Sequence, residues 1–354
     1  MSNNKKRFYE YGLNEASFPR GERNKISDVS GVRVGHVTKV EGENVRTGVT
    51  IVDPGIKELF KNKIPGAIAV GNGYGKLTGI TQVEELGTIE APVGLTSILS
   101  VGAVLQGIIG AVSGREALGS IDGPNVIVGE VNDGFLNGIH KGSIGTEDVK
   151  NAFYSLTEDF SLGNVGGGTG SRGFSWKGGI GSSSRIVEAG GKKYTLGVLV
   201  QTNYGGSLSI TGVPVGKLLG KTDFDEFLPG NSGGSCMIVL ATDAPFSARQ
   251  LKRIAERTFL GLARTGSVIS PTSGDYTIAF STNRAGIEGT NTKETLLPDA
   301  ILYRFFLAAV EATEEAVYDA LFAAETMKGR DGNVREAIPI ERVVEIIRSY
   351  RHAA

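Results

Sequence analysis

The 354-residue chain carries 37 Lys and Arg against 38 Asp and Glu, with 40% hydrophobic residues, enough apolar content for one large core or two. Such an even balance gives no global attraction to nucleic acid, an anionic membrane or a polyanionic partner, so any binding is local. One cysteine excludes an intramolecular disulfide, and three scattered histidines (His36, His140, His352) argue against a histidine-rich metal site.

The first thirty residues are charged and polar without the apolar centre of a secretory signal. The longest membrane-like stretch, residues 98–112, is short and interrupted by Gln106. A cytoplasmic protein with no membrane partner is the expectation. The 52 glycines, about twice the usual ~7% share, cluster between apolar runs and predict tight turns and close backbone approaches.

Residues 1–25 read as a surface arm, rich in Asn, Lys and Arg. Val32-Arg33-Val34-Gly35-His36-Val37 and Thr47-Gly48-Val49-Thr50-Ile51-Val52 are β-rich runs that predict paired strands. His36 alternates with valines and has no adjacent titratable partner, which favours a hydrogen-bonded structural histidine. Residues 64–70 predict another strand, running into Gly71-Asn72-Gly73-Tyr74-Gly75-Lys76. That loop lacks the spacing and the Lys-Ser/Thr ending of a phosphate cradle, so no nucleotide or other cofactor is expected.

Residues 81–86 and 100–118 predict helices, the second on the spacing of Val101, Val104, Leu105, Ile108, Ile109 and Val112. Its internal glycines would each weaken an isolated helix by about 1 kcal/mol, and close packing on a sheet is the simplest reason to tolerate them. Residues 125–129 predict a strand whose exit is crowded by Glu130, Asn132 and Asp133. These carboxylates either carry negative charge into a cleft, where one facing an ammonium at 4 Å is worth about 4 kcal/mol at an effective dielectric near 20, or build an ordinary polar turn.

Residues 164–170 and 177–185 form a second glycine-rich region whose amides can collect an oxyanion. A strand over 194–200 leads to Asn203, either an oxyanion donor or a turn asparagine. Pro229-Gly230-Asn231-Ser232-Gly233-Gly234-Ser235 then joins a glycine tract to the apolar run 236–241. A hydroxyl at the start of a buried strand, beside a glycine-supported peptide bond, can attack its own preceding carbonyl; equally, this is a flexible loop entering a strand.

Ser247-Ala248-Arg249-Gln250 has capping-box spacing, and Gly266 predicts the end of that helix. Ser273-Gly274-Asp275 precedes a strand over 276–280. Helices are expected over 299–328 and 339–350. No repeat or linker divides the chain.

With these residues together, the chain resembles the family of self-cleaving aminopeptidases that includes the L-aminopeptidase/D-Ala-esterase/amidase and the β-aminopeptidases. The likeness rests on Gly31-Val32-Arg33-Val34-Gly35-His36-Val37, Asn164-Val165-Gly166-Gly167-Gly168-Thr169-Gly170, Ala241-Thr242-Asp243-Ala244-Pro245, Ser273-Gly274-Asp275 and Ala324-Glu325-Thr326-Met327-Lys328-Gly329-Arg330-Asp331-Gly332, in this order. It covers nearly the whole chain.

The resemblance implies an α+β fold, a single four-layer αββα sandwich over 1–354, layered like N-terminal-nucleophile hydrolases but connected differently, and a homotetramer. It implies self-cleavage between Gly234 and Ser235 into chains 1–234 and 235–354, because Ser235 abuts the apolar strand and Ser232 lies three residues too early. Ser235 becomes the nucleophile, Ser273 and Asp275 its supporting pair, and Asn203 the oxyanion donor. Asp275 stands where many relatives carry glutamate. Glu130 resembles the acidic residue that receives a substrate amino group, with Asn132 and Asp133 beside it at the substrate. The implied substrates are short peptides, amino-acid amides or esters. An amine-accepting acyltransferase and a non-catalytic metabolite-binding protein are the alternatives.

Overall fold

A computed structural model describes residues 5–14, 16–116, 118–119, 122–223, 234–287, 289–290 and 294–353. The glycine tract before Gly234, including Ser232, lies outside the described residues.

Two sheets pack face to face. The smaller has strand order β1-β2-β5-β6, from β1 (Arg33–Glu41), β2 (Val45–Asp53), β5 (Val93–Ser97) and β6 (Val128–Val131). The larger has the order β4-β3-β12-β11-β10-β9. Its strands are β3 (Ile64–Gly73), β4 (Thr88–Ile89), β9 (Ile180–Ala189), β10 (Lys192–Asn203), β11 (Gly234–Thr242) and β12 (Ser273–Ser281). The short pair β7 (Arg172–Gly173) and β8 (Trp176–Lys177) stands apart from both.

Alternation along the strands divides the core. On β11, Met237, Val239 and Ala241 face the other sheet, while Cys236, Ile238 and Leu240 face a helix layer, as the two-residue period of a strand requires. That layer consists of α5 (Ala248–Arg264) and α6 (Leu302–Phe322), with α7 (Ile340–Ala353) contributing Val343 and Ile347. On the far side of the smaller sheet lie α2 (Val101–Arg115) and α3 (Thr146–Tyr154). The expected αββα sandwich is thus formed, with one apolar layer between the sheets and one under each pair of helices.

Local signals account for much of this. Ser247 caps α5 by accepting from the Gln250 backbone N–H, and the Gln250 side chain accepts in return from the Ser247 N–H, a reciprocal box. In α2, Gly107 is needed because a Cβ there would lie 2.6 Å from Val149 of α3; the tolerated glycine marks a helix–helix contact.

Other expectations give way. The amino-terminal arm is anchored rather than superficial: Phe8, Leu13 and Asn24 are buried. Buried carboxylates of α6 hold it. Glu315 accepts from Arg20 at 2.7 Å and Asn24 at 2.5 Å, and Asp319 accepts from Arg7 and from the Phe8 N–H at 2.9 Å. The run 177–185, read as a glycine loop, is largely strand β9, where the fully buried Arg185 meets Glu315 at 3.1 Å and Glu311 at 3.3 Å. The helix expected over 299–328 ends at Phe322. The strand expected over 125–129 runs instead from Val128 to Val131, so Glu130 lies inside it.

Candidate active site

Sheet register assembles the site. On β11, Ser235 stands opposite Asn203 of antiparallel β10 and Gly274 of parallel β12. Three residues from three separate stretches therefore lie in one row across the sheet. Ser235 is 4% exposed. Its hydroxyl donates to the Gly234 carbonyl oxygen at 2.5 Å and accepts from the Gly274 N–H at 3.4 Å. Gly274 brings its backbone close because a Cβ there would lie 2.6 Å from the Tyr74 carbonyl oxygen.

Asn203 is held from both ends of its amide. Its Oδ1 accepts from the Arg172 N–H at 3.2 Å, and its Nδ2 donates to the Asn132 carbonyl at 2.9 Å. One of its two amide hydrogens has no acceptor among the described residues. Two residues earlier on the same strand, Gln201 donates to Thr96 O at 3.1 Å and Gly167 O at 2.7 Å, tying β10 to the opposite sheet. Asn203 is thus a positioned donor and not a turn residue.

Ser273 and Asp275 come next. Gly234 pairs with Ser273, and a Cβ at Gly234 would lie 3.1 Å from Ser273 Oγ. Ser273 and Asp275 share the face of β12 that carries Ala279 toward the helices, so Ser273 meets Gly234 from that side and Asp275, in register with Cys236, stands one step further along it. Asn72 pins the strand entrance by donating to Ser273 O and Pro271 O. Burial pushes Asp275 up from its ordinary 3.8 to about 6, and the neighbouring Ser273 hydroxyl offsets part of the rise. Neither Asp275 oxygen nor Ser273 Oγ has a hydrogen bond of good geometry among the described residues. A buried carboxyl raised to about 6 beside a serine hydroxyl is suited to passing a proton.

Glu130, 2% exposed, lies across from this row. Its Oε1 accepts from the Lys76 N–H at 3.1 Å and lies 3.6 Å from Lys76 Nζ, whereas its buried Oε2 has no partner among the described residues. Burial raises its pKa, the Lys76 hydrogen bond and charge oppose the rise, and Asp133 adds to it. A buried carboxylate oxygen without a donor is costly unless something outside the chain supplies one.

The other two expected substrate residues sit differently. Asp133 is buried and engaged by Ser97 at 2.7 Å and Asn137 at 3.0 Å. The Asn132 side chain accepts from the Gly134 N–H at 3.0 Å, and its backbone carbonyl positions Asn203. Both therefore build the wall beside Glu130.

Several contributors carried no sequence signal, among them the Gly274 and Arg172 amides, Asn72, Lys76 and Lys177. Lys177 is fully buried, donates to Gly178 O at 2.6 Å and Gly168 O at 3.2 Å, and is pushed down to about 7 by burial, with Asp133 opposing. It binds together the glycine turns behind Asn203. His36 fits the structural expectation: Nδ1 meets Thr50 Oγ1 at 2.9 Å, and burial pushes it down to about 4. Among the described residues there is no cluster of three or more His, Cys, Asp or Glu able to hold a metal.

Residues 24–335 match the profile of Peptidase family S58. The chain belongs to that family. Beta-peptidyl aminopeptidase BapA of Sphingosinicella microcystinivorans is 36% identical over 363 residues, spanning 94% of this S58 chain and 90% of the relative. The PH0078 protein from Pyrococcus horikoshii OT3 is similar in structure, with a TM-score of 0.89 and 43% identity over 98% of this chain and 99% of that one. The L-aminopeptidase D-Ala-esterase/amidase from Ochrobactrum anthropi gives a TM-score of 0.88 at 33% identity, covering 98% and 99%. It is described as a prototype for the serine aminopeptidases and a variant among the Ntn hydrolase fold. The family and fold expected of this S58 chain from its motifs are the ones found.

Proposed function

We propose that this S58 chain is a self-processing serine aminopeptidase or amidase whose nucleophile is Ser235. The observation that carries the reading is the Ser235 hydroxyl, 2.5 Å from the Gly234 carbonyl oxygen, in a row with Asn203 and Gly274.

In the precursor, Ser235 Oγ attacks the Gly234 carbonyl carbon. The Oγ proton is carried to the leaving nitrogen by way of the Ser273–Asp275 pair as the C–N bond breaks, and an ester links Gly234 to Oγ. Water hydrolyses that ester, leaving a carboxylate on Gly234 and a free amino-terminal serine, with chains 1–234 and 235–354. The new α-amino group, ordinarily near 7.7–8.0, is about one-tenth to one-fifth deprotonated at pH 7, far more than a lysine, and its neutral form takes the Oγ proton. Oγ then attacks the substrate carbonyl, the spare Asn203 N–H meets the oxyanion, and the leaving amine departs protonated. A water repeats the attack and frees the acid.

Glu130 Oε2 receives the free ammonium of a short peptide, amino-acid amide or ester. An internal peptide bond brings no such charge, which restricts attack to the amino terminus. The reading extends to a homotetrameric, cytoplasmic enzyme; no described helix is long and apolar enough to cross a membrane. Size-exclusion chromatography with light scattering measures the assembly.

The activity test compares an amino-acid amide bearing a free amine with its N-acetylated form. The parent hydrolyses the first and spares the second, and Ser235→Ala turns over neither. Equal hydrolysis of the blocked amide would remove Glu130 from substrate recognition, and activity in Ser235→Ala would remove Ser235 from catalysis. Adding an amine acceptor with an ester donor distinguishes an acyltransferase, in which the transfer product dominates.

A further inference from the structure

The glycine-rich stretch 71–76, which fails as a phosphate cradle and whose first three residues finish β3, has another place in the molecule. It lies between Glu130 and the Ser235 row: a Cβ at Gly75 would stand 3.3 Å from Glu130 Oε1 and 3.6 Å from Gly274 Cα. Tyr276 OH donates to Gly75 O at 3.3 Å and braces the loop on β12. Its last residue, Lys76, donates its N–H to one oxygen of Glu130 and holds its ammonium 3.6 Å from that same oxygen as an ion pair, while Oε2 has no partner among the described residues. The Lys76 side chain is half exposed, but the carboxylate it addresses is almost completely buried.

A buried carboxylate facing solvent cations through a single oxygen has two problems. It tends to protonate, which destroys its affinity for an ammonium, and it is free to rotate and offer either oxygen. Lys76 addresses both. The other ionisable groups facing Glu130 are Asp133, just beyond the end of β6, and Tyr276 of β12. Asp133 disfavours the charged state and Tyr276 is neutral near pH 7, so Lys76 is the cation that favours ionisation.

We propose that Lys76 is a positioning and specificity-determining residue of the amine subsite. It fixes Glu130 by Oε1 and keeps it ionised, so that Oε2 meets one primary ammonium of the substrate. The assignment rests on the proposed role of Glu130 in binding the substrate amine, and it makes Lys76 act through Glu130 without touching the reacting atoms.

The test is the pH dependence of kcat and KM from pH 5 to 9 on an amino-acid amide with a free amine, for parent, Lys76→Met and Lys76→Arg. Intact mass first establishes that each protein is processed. Ammonium binding needs the carboxylate, so removing the neighbouring cation moves the acid limb of kcat/KM to higher pH. Lys76→Met is expected to lose about two- to fivefold at pH 6, the scale of a half-exposed ion pair, mostly in KM, and to approach the parent at pH 8. Lys76→Arg restores the acid limb.

Superimposable profiles for parent and Lys76→Met would overturn the proposal. So would an equal loss at every pH in both variants, which marks a packing role. If Lys76→Met stays one chain, Lys76→Gln takes its place, and failure of both to process would assign Lys76 to folding and overturn the proposal. A parent that neither processes nor hydrolyses the amide would instead sink the proposed function.

Discussion

Asparagine at position 275 in a Ser235→Ala background measures the energetic cost of a carboxylate held for chemistry, because the chain stays whole and equilibrium unfolding is defined. Asp275 is fully buried, and its carboxyl is raised from 3.8 to about 6 by burial. The folded state therefore binds more protons than the unfolded one between these values, and stability falls as pH rises through that window. At 1.36 kcal/mol per unit, the cost above pH 7 is roughly 3 kcal/mol. Ser235→Ala should thus lose most of that, about 2.4 kcal/mol, relative to Ser235→Ala/Asp275→Asn between pH 4 and pH 8, read as a shift in denaturant midpoint at unchanged m. The asparagine protein is the more stable at pH 8. A difference that does not change with pH, or that grows in favour of aspartate as pH rises, would refute a buried, proton-holding Asp275.

Two further changes probe other parts of the site and fold. Asn203→Ala removes a donor fixed by Arg172 N–H and Asn132 O; kcat should fall about 10²–10³-fold with little change in KM, and a mainly KM effect measured by steady-state kinetics would contradict an oxyanion role. Glu315→Gln removes one of the two carboxylates at buried Arg185, leaving Glu311, together with the carboxylate paired to Arg20, and should cost up to about 3 kcal/mol, the low end for a broken buried pair. Denaturation of the intact-chain form measures it. In a processed protein the same substitution weakens contacts between the two halves, since Arg7, Arg20, Asn24 and Arg185 belong to 1–234 while Glu311, Glu315 and Asp319 belong to 235–354.

Much of the site was legible because it follows strand ends. The apolar run after Ser235, the strand after Ser273 and the strand before Asn203 each announce themselves, and neighbouring strands bring such ends together. Glu130 was legible as a polar residue near a strand exit, but the amide of Lys76, 54 residues earlier, was not. What stayed hidden shares one cause: buried polar groups whose partners are remote in sequence. Residues 177–185 read as a glycine-rich loop because Gly178, Gly179 and Gly181 stand beside three serines; of these, residues 180–185 are strand. They form a buried strand because Ser183 donates to Ala312 O at 2.7 Å and Arg185 meets α6. The amino-terminal arm misled in the same way, since its arginines find their carboxylates about 300 residues later on α6. Lys177 carries no local sign that burial will bring it to about 7.

The central claim is that Ser235 attacks its own preceding peptide bond, and intact mass of freshly purified protein beside Ser235→Ala tests it most directly. The parent is expected as two chains, 1–234 and 235–354, with serine at the new amino terminus, and the variant as one. A parent that remains whole, a variant that still splits, or a cut between Asn231 and Ser232 would contradict it.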